Sequence, residues 1–220
     1  LPCGRKPKEI PEEERTLVLE TWKDHPLSAC MLEAIIEEEK RIHIPHNRIH
    51  KILKEEGLAR NELKKQKRRK WIRYERKHSL SLVHGDWFVI KGKQVFLAID
   101  DASRLLYAYG EFDHATTENS IEAVKNGIRK FGKPKQSHTD HGSQFVANEQ
   151  KGKKHGTSQF TLFLQNLGIQ HIKARIKHPQ ANGKNERVKQ TIEKLWKHFG
   201  SLDKAVEYYN HKRPHMSLGN

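Results

Sequence analysis

Long apolar runs are missing from this chain of 220 residues, so nothing in it reads as a membrane-spanning helix. A basic amphipathic helix with an aromatic face is also missing, which sets aside a helix lying on a membrane surface. No signal peptide is visible. Cysteine is scarce: Cys3 and Cys30 are the whole supply, and neither belongs to a CxxC pair. A structural zinc site is therefore not expected despite 15 histidines. Two lone thiols suit a reducing compartment, and the expected location is cytoplasmic. A start at Leu1 rather than Met fits a fragment or an unusual start codon.

Positive charge is abundant. Lys and Arg number 42 against 27 Asp and Glu, a net charge of +15. Such a surplus calls for a polyanionic partner, and nucleic acid comes first because neutralising phosphates releases counterions. Hydrophobic residues make up 35% and come in bursts, so the chain is expected to fold, as one mid-sized domain plus a small one.

Three zones follow one another. In the first, Pro11 ahead of Glu12, Glu13 and Glu14 marks a helix start, with Pro at the first helical position and acids against the helix dipole. Ser28 offers a cap for a second helix carrying Leu32, Ile35 and Ile36. A third helix from near Pro45 to Gly57 buries Ile49, Ile52 and Leu53 and turns Asn47, His50, Lys51 and Lys54 outward. Three short helices, the last with a polar and basic outer face, suit a helix-turn-helix DNA-binding unit, and equally a small bundle with a solvated face.

The second zone, from Ala59 to Arg76, contains Lys64-Lys65-Gln66-Lys67-Arg68-Arg69-Lys70-Trp71. Like charges in a row resist packing, so this reads as a linker or arm. With Trp71 and Tyr74 interleaved it could track phosphates, Arg68 and Arg69 among the contacts, or simply be solvated.

The third zone alternates period-2 and helical patterns. Strands are expected at Trp87–Ile90 and Gln94–Ile99, joined by a hairpin turn at Lys91-Gly92-Lys93, and at Leu105–Phe112, Pro134–Thr139 and Ile169–Ile176. Helices are expected at Thr117–Phe131, around Phe160–Leu167, and from Ala181 to Phe199. The order β-β-β-α-β-α-β-α predicts an α/β fold with a mixed five-stranded sheet flanked by helices.

Isolated acids fall at telling places in this zone: Asp86 in the first strand, Asp140 at a strand end, Glu186 in the first turns of the last helix. Such positions can meet at one sheet edge, and three carboxylates suit hard divalent cations. Each acid alone could equally be a turn or helix-start residue.

The words around them are more specific. Thr139-Asp140-His141-Gly142-Ser143-Gln144-Phe145 resembles the T-D-x-G-x-x-F signature around the second acid of retroviral integrases and related insertion-sequence transposases. Residues His178–Arg187 (HPQANGKNER) resemble their P-x-x-x-G-x-x-E-R segment, and Phe96–Arg104 (FLAIDDASR) resembles their second strand and turn. Tyr209-Asn210-His211-Lys212-Arg213-Pro214-His215 resembles the Y-N-x-x-R-P-H tail of prokaryotic transposases. The resemblance covers nearly the whole chain. It implies an RNase H-like core in which Asp86, Asp140 and Glu186 hold two Mg²⁺ ions, with Mn²⁺ as a substitute. It also implies a polynucleotidyl transferase that cleaves DNA and transfers the freed 3′-hydroxyl end, without a covalent protein–DNA intermediate. The partners implied are double-stranded DNA, both mobile-element ends and target, and further copies of the chain on that DNA, in a prokaryotic, nucleoid-associated setting.

The expected division is a helix-turn-helix domain at 1–60, a basic linker at 61–80, the catalytic core at 81–200 and a tail at 201–220. Two departures stand out. Forty-five residues separate Asp140 from Glu186, longer than is usual in that family, with the excess assigned to a Lys- and Gly-rich loop at Ala147–Ser158. Trp87 and Phe88 follow the first Asp, where many relatives place Thr two residues on. Asp100 is a rival for the first ligand, and Asp101 with Ser103 and Arg104 is read as stabilising a turn. Lys189, one turn beyond Glu186, can hold a phosphate or sit on a solvated face. Gly183 can hinge a loop or start the helix, and Asn182 can touch DNA or cap it. His141 and His178 are read as local hydrogen-bonding or DNA-contacting groups. Two other functions use the same features: a metal-dependent nuclease on this fold, and a catalytically silent transposase-derived DNA-binding protein.

Overall fold

The computed structural model describes residues 10–59, 75–146, 156–174, 183–215 and 218. These form two compact units. The first holds helices α1 (Glu12–Asp24), α2 (Ala29–Lys40) and α3 (His46–Glu55). The second holds strands β1 (Val83–Ile90), β2 (Lys93–Asp100), β3 (Leu106–Phe112), β4 (Gln136–Thr139) and β5 (Gln170–Lys173), with helices α4 (Thr117–Phe131), α5 (Gln159–Asn166), α6 (Gly183–Phe199) and α7 (Leu202–His211).

In the helical unit, Val18, Leu32, Ile36, Ile44, Ile49, Ile52 and Leu53 form one buried core. Pro11 and Pro45 stand at the N-cap positions of α1 and α3, one residue outside the helix rather than at its first position. Ser28 occupies the cap position of α2 but makes no side-chain cap bond. Arg48 of α3 pairs with both carboxylate oxygens of Glu14 on α1 at 2.7 Å, and Arg15 pairs with Glu55 and Glu56. Helix α3 stops at Gly57, whose φ of +70° a side chain would strain. The Gly57 and Leu58 N–H groups return to the Lys54 and Leu53 carbonyls at 3.1 and 2.8 Å, satisfying acceptors the helix end leaves over.

The sheet order is β3-β2-β1-β4-β5. The pairs β3–β2 and β2–β1 run antiparallel, and β1–β4 and β4–β5 run parallel. This is the expected five-stranded mixed sheet. The β1–β2 turn is made by Lys91 and Gly92 alone, both at positive φ, with Ile90 opposite Lys93.

Register decides what faces what. Phe96 and Ala98 join Val124, Phe145, Phe160, Leu164 and Ile169 in the core shared with α4 and α5. Buried Val95, Leu97 and Ile99 are one residue out of phase and so lie on the other face, over which α6 packs on β1 and β2. Trp87, opposite Phe96, faces the first side and stacks edge-on against it at 5.5 Å. Asp86, opposite Leu97, faces the α6 side.

Helix α4 is capped by Thr116, whose Oγ1 accepts from Asn119 N–H at 3.2 Å. Helix α7 stands where the sequence predicts a tail at 201–220. It packs on α6 and β3 and buries Leu202, Ala205, Val206 and Tyr209. Its Asn210 amide accepts from Leu106 N–H at 2.9 Å and donates to Leu106 C=O at 3.1 Å, pairing with the edge strand as another strand would. Residues Glu75 and Arg76, inside the expected linker, are held by the sheet unit: Arg76 donates to Gln136, and Glu75 pairs with Arg104.

Candidate active site

Asp86 sits in β1 on the α6 face, nearly buried. Its Oδ1 accepts from Trp87 N–H at 2.8 Å. Trp87 is itself fixed by its indole N–H, which donates to Ser120 on α4 at 2.9 Å. Burial pushes the Asp86 carboxyl up to about 7, and the negative charges of Asp140 and Glu186 push in the same direction, against a lowering pull from Lys189. Asp140, Glu186 and Lys189 therefore each act on Asp86.

Asp140 follows the last residue of β4, half-buried, with Oδ1 accepting from Gly142 N–H at 2.9 Å. A side chain at Gly142 would meet the Gln144 side chain and crowd the Asp140 carboxylate. Just before it, Thr139 Oγ1 bonds His171 at 2.9 Å, and the other His171 nitrogen bonds Thr161 at 2.8 Å. Burial drives His171 down to about 4, keeping it neutral. Glu186 lies in the first turn of α6, exposed. Lys189 is half-buried, with its ammonium 5.2 Å from the Phe88 ring centre.

Asp100 and Asp101 are built quite differently. Asp100 is fully buried and spends its oxygens inward, accepting from Leu80 N–H at 2.8 Å and from Ser103 N–H and Oγ at 2.8 and 2.6 Å. It is therefore Asp100, not Asp101, that ties Ser103 into the turn. Asp101 accepts from His84 Nε2 at 2.8 Å, from Arg76 N–H at 2.7 Å and from Lys184. Burial alone would raise its carboxyl, but these donors win and hold it well below the usual carboxylate range. Arg104 donates to the Asp101 carbonyl at 2.8 Å. Both acids are committed to the protein's own donors.

His141 bonds the Ala174 carbonyl at 2.6 Å, a local role. Gly183 opens α6 with open space where a side chain would project. Asn47, His50, Lys51 and Lys54 are all exposed on α3. Arg68, Arg69, His178 and Asn182 lie outside the described residues, as does most of the loop at Ala147–Ser158, whose last residue caps α5.

Among the described residues, no three His, Cys, Asp or Glu side chains stand close enough together to hold one ion. Like charges have reason to stay apart. The donor chemistry still suits a divalent cation. Asp86, Asp140 and Glu186 offer oxygen only, and the raised proton affinity of Asp86 marks a place short of positive charge. Reading the sequence alone did not single out His84, His138 or Lys184. The signal was present, since each stands two residues before one of the acids.

A mixed five-stranded sheet flanked by helices, with an acid within β1, one just past β4 and one at the start of α6, has the fold of an RNase H-like α/β core. Residues 76–179 match the family described as the Integrase core domain. Over 147 residues the chain is 33% identical to the ORF3 protein of Spiroplasma virus SpV1-C74, which is named as an integrase. The match covers 59% of this chain and 40% of that relative, so the chain spans well under half its length. The fold resembles the catalytic core domain of BIV integrase at a TM-score of 0.51 and 17% identity, covering 63% of this chain and 88% of that one. It also resembles a chain of the simian T-cell lymphotropic virus intasome, solved with PP2A regulatory subunit B56 gamma, at 0.55 and 18%, covering 90% and 70%. Among the described residues, no helix is long and apolar enough to cross a membrane.

Proposed function

We propose that this chain is a DNA transposase or integrase of the DDE type, in which Asp86, Asp140 and Glu186 hold two divalent metal ions. The observation that carries the reading is the buried Asp86 carboxyl. In an integrase core it is raised to about 7 by burial and by the charges of the two other nominated acids. Mg²⁺ fits the all-oxygen donor set, and Mn²⁺ shares that preference. Bound there, such ions activate an attacking oxygen and stabilise the leaving one in phosphoryl transfer.

The protein's own groups supply the rest. Lys189 beside Asp86 is suited to holding a phosphate of the scissile strand. Asn47, His50, Lys51 and Lys54 give α3 the polar outer face of a recognition helix, and residues 1–60 serve as the unit that finds element ends. Arg68 and Arg69 add phosphate contacts from the basic linker, and the +15 net charge favours double-stranded DNA throughout. Joining two ends to a target calls for at least two copies of the chain on the DNA.

The test is incubation of supercoiled plasmid with the protein and Mn²⁺ or Mg²⁺, beside Asp140→Asn prepared identically. Nicking or joining that vanishes in the variant supports the reading. Joined products point to a transposase, and nicks alone to a nuclease. Equal activity in both proteins overturns the assignment of Asp140. Salt-sensitive DNA binding with no cleavage by either protein favours a silent DNA-binding descendant.

A further inference from the structure

Strand alternation places residues i and i+2 on the same face. His84 precedes Asp86 by two in β1, and the two therefore share the α6 face. His138 stands opposite His84 in the β1–β4 register and lies two residues before Asp140. Lys184 precedes Glu186 by two in the first turn of α6. These three residues do not stand apart. The rings of His84 and His138 share a bond between their Nδ1 atoms at 3.3 Å. The other nitrogen of His84 donates to Asp101 Oδ1 at 2.8 Å, and Lys184 donates to the same oxygen. His84, His138 and Asp101 are buried, and Lys184 is three-quarters so.

We infer that His84, His138, Asp101 and Lys184 form a buried polar tier one step behind the three acids, which fixes β1, β4 and the start of α6 relative to one another and so positions Asp86, Asp140 and Glu186 for metal. The inference rests on the proposed reading of those acids as metal ligands. Asp101 is the hub, because a single oxygen of it joins β1 to α6. Lys184 joins the first turn of α6 to Asp101 and so bears on the placement of an acid that is itself exposed. All four are positioning residues, since none is proposed to touch DNA or the ions. Groups behind metal ligands typically change affinity by about 10–100-fold when removed.

The sign of the effect separates positioning from simple charge. A lysine near a cation repels it, so removing Lys184 would tighten metal binding if charge alone mattered. Positioning requires the opposite. The experiment titrates Mn²⁺ into the full chain and reads free Mn²⁺ by electron paramagnetic resonance. It compares wild type, Asp86→Asn, Lys184→Met, Lys184→Arg and, as a charge control on the exposed end of α6, Lys197→Met. Thermal melts confirm that each is folded. Lys184→Met is expected to bind Mn²⁺ about tenfold more weakly, with Lys184→Arg recovering most of the loss and Lys197→Met unchanged. Should Lys184→Met fail to fold, Lys184→Gln, which keeps a donor toward Asp101, replaces it with the same expected direction but a smaller loss. Equal or tighter binding by Lys184→Met, with binding still lost in Asp86→Asn, overturns the positioning tier and leaves the acid site standing. Binding that survives Asp86→Asn overturns the metal-site reading and the tier with it.

Discussion

Asp86 and Asp101 belong to the same sheet unit, both buried, and their carboxyl groups are driven in opposite directions. Burial penalises the charged form of each. Asp101 answers with a histidine, a lysine and a backbone N–H; Asp86 has the Trp87 N–H and Lys189 but also faces two more acids. The difference teaches that burial does not decide whether an acid is structural or poised for chemistry. Its partners do. An acid whose charge is already matched has little to offer an incoming cation, whereas one surrounded by its own kind gains from it.

The contrast breaks most visibly under substitution. Asp86→Asn is expected to lower metal-dependent DNA cleavage on the order of 10³-fold while leaving the thermal midpoint unchanged or raised, because it removes a repelled charge. Asp101→Asn should do the reverse to stability, costing about 3 kcal/mol by leaving Lys184 and His84 without their anion. Chemical denaturation of both variants beside a plasmid-cleavage assay checks the pair, and equal destabilisation by the two would erase the distinction.

Titration sharpens it further. The folded value of Asp86 lies above its unfolded one, so its burden on stability is absent at low pH, grows between about pH 4 and 7, and is full above that. Asp101 is lowered, so its support is present above about pH 4 and lost only as the pH falls further. Wild type minus Asp86→Asn should therefore show a stability difference that changes between about pH 4 and 7, and wild type minus Asp101→Asn one that changes below that range. For the same reason Mg²⁺ should raise the melting temperature more at about pH 8 than at about pH 5, since binding needs the deprotonated carboxylate. A metal effect independent of pH would speak against Asp86 as a ligand.

The smallest effect lies away from the acids. Asn210→Ala removes two bonds to Leu106 and is expected to cost about 1 kcal/mol by denaturant melts, with cleavage unchanged.

Much of this molecule was legible in its residues. Periodicity and Gly57, Gly132 and Gly168 place the helix ends, and the helix at Thr117–Phe131 has the expected bounds. The strands are present, with β1 beginning four residues earlier than its apolar part, because His84, Gly85 and Asp86 are polar or small yet buried. Propensity cannot show that a polar stretch is held by partners from β4, the β2 end and α6. Helix α7 was legible too: Leu202, Ala205, Val206 and Tyr209 recur at helical spacing behind Ser201. The Tyr209–His215 word overlies the end of that periodicity. The words around Asp86, Asp140 and Glu186 are what nominate them. What could not be read was that Asp100 and Asp101 are spoken for, since that depends on Leu80 and Arg76 arriving from outside the strand.

The clasp of Asn210 on Leu106 also has a temporal side. The two residues are 104 positions apart, so the edge of β3 is made long before the residue that covers it. At synthesis rates of about 5–20 residues per second, the edge stays open for roughly 5–20 s on a growing chain. During that interval nascent chains on one messenger can pair through it, which makes chain spacing on the ribosome and access to chaperones part of how much of this protein reaches its folded form.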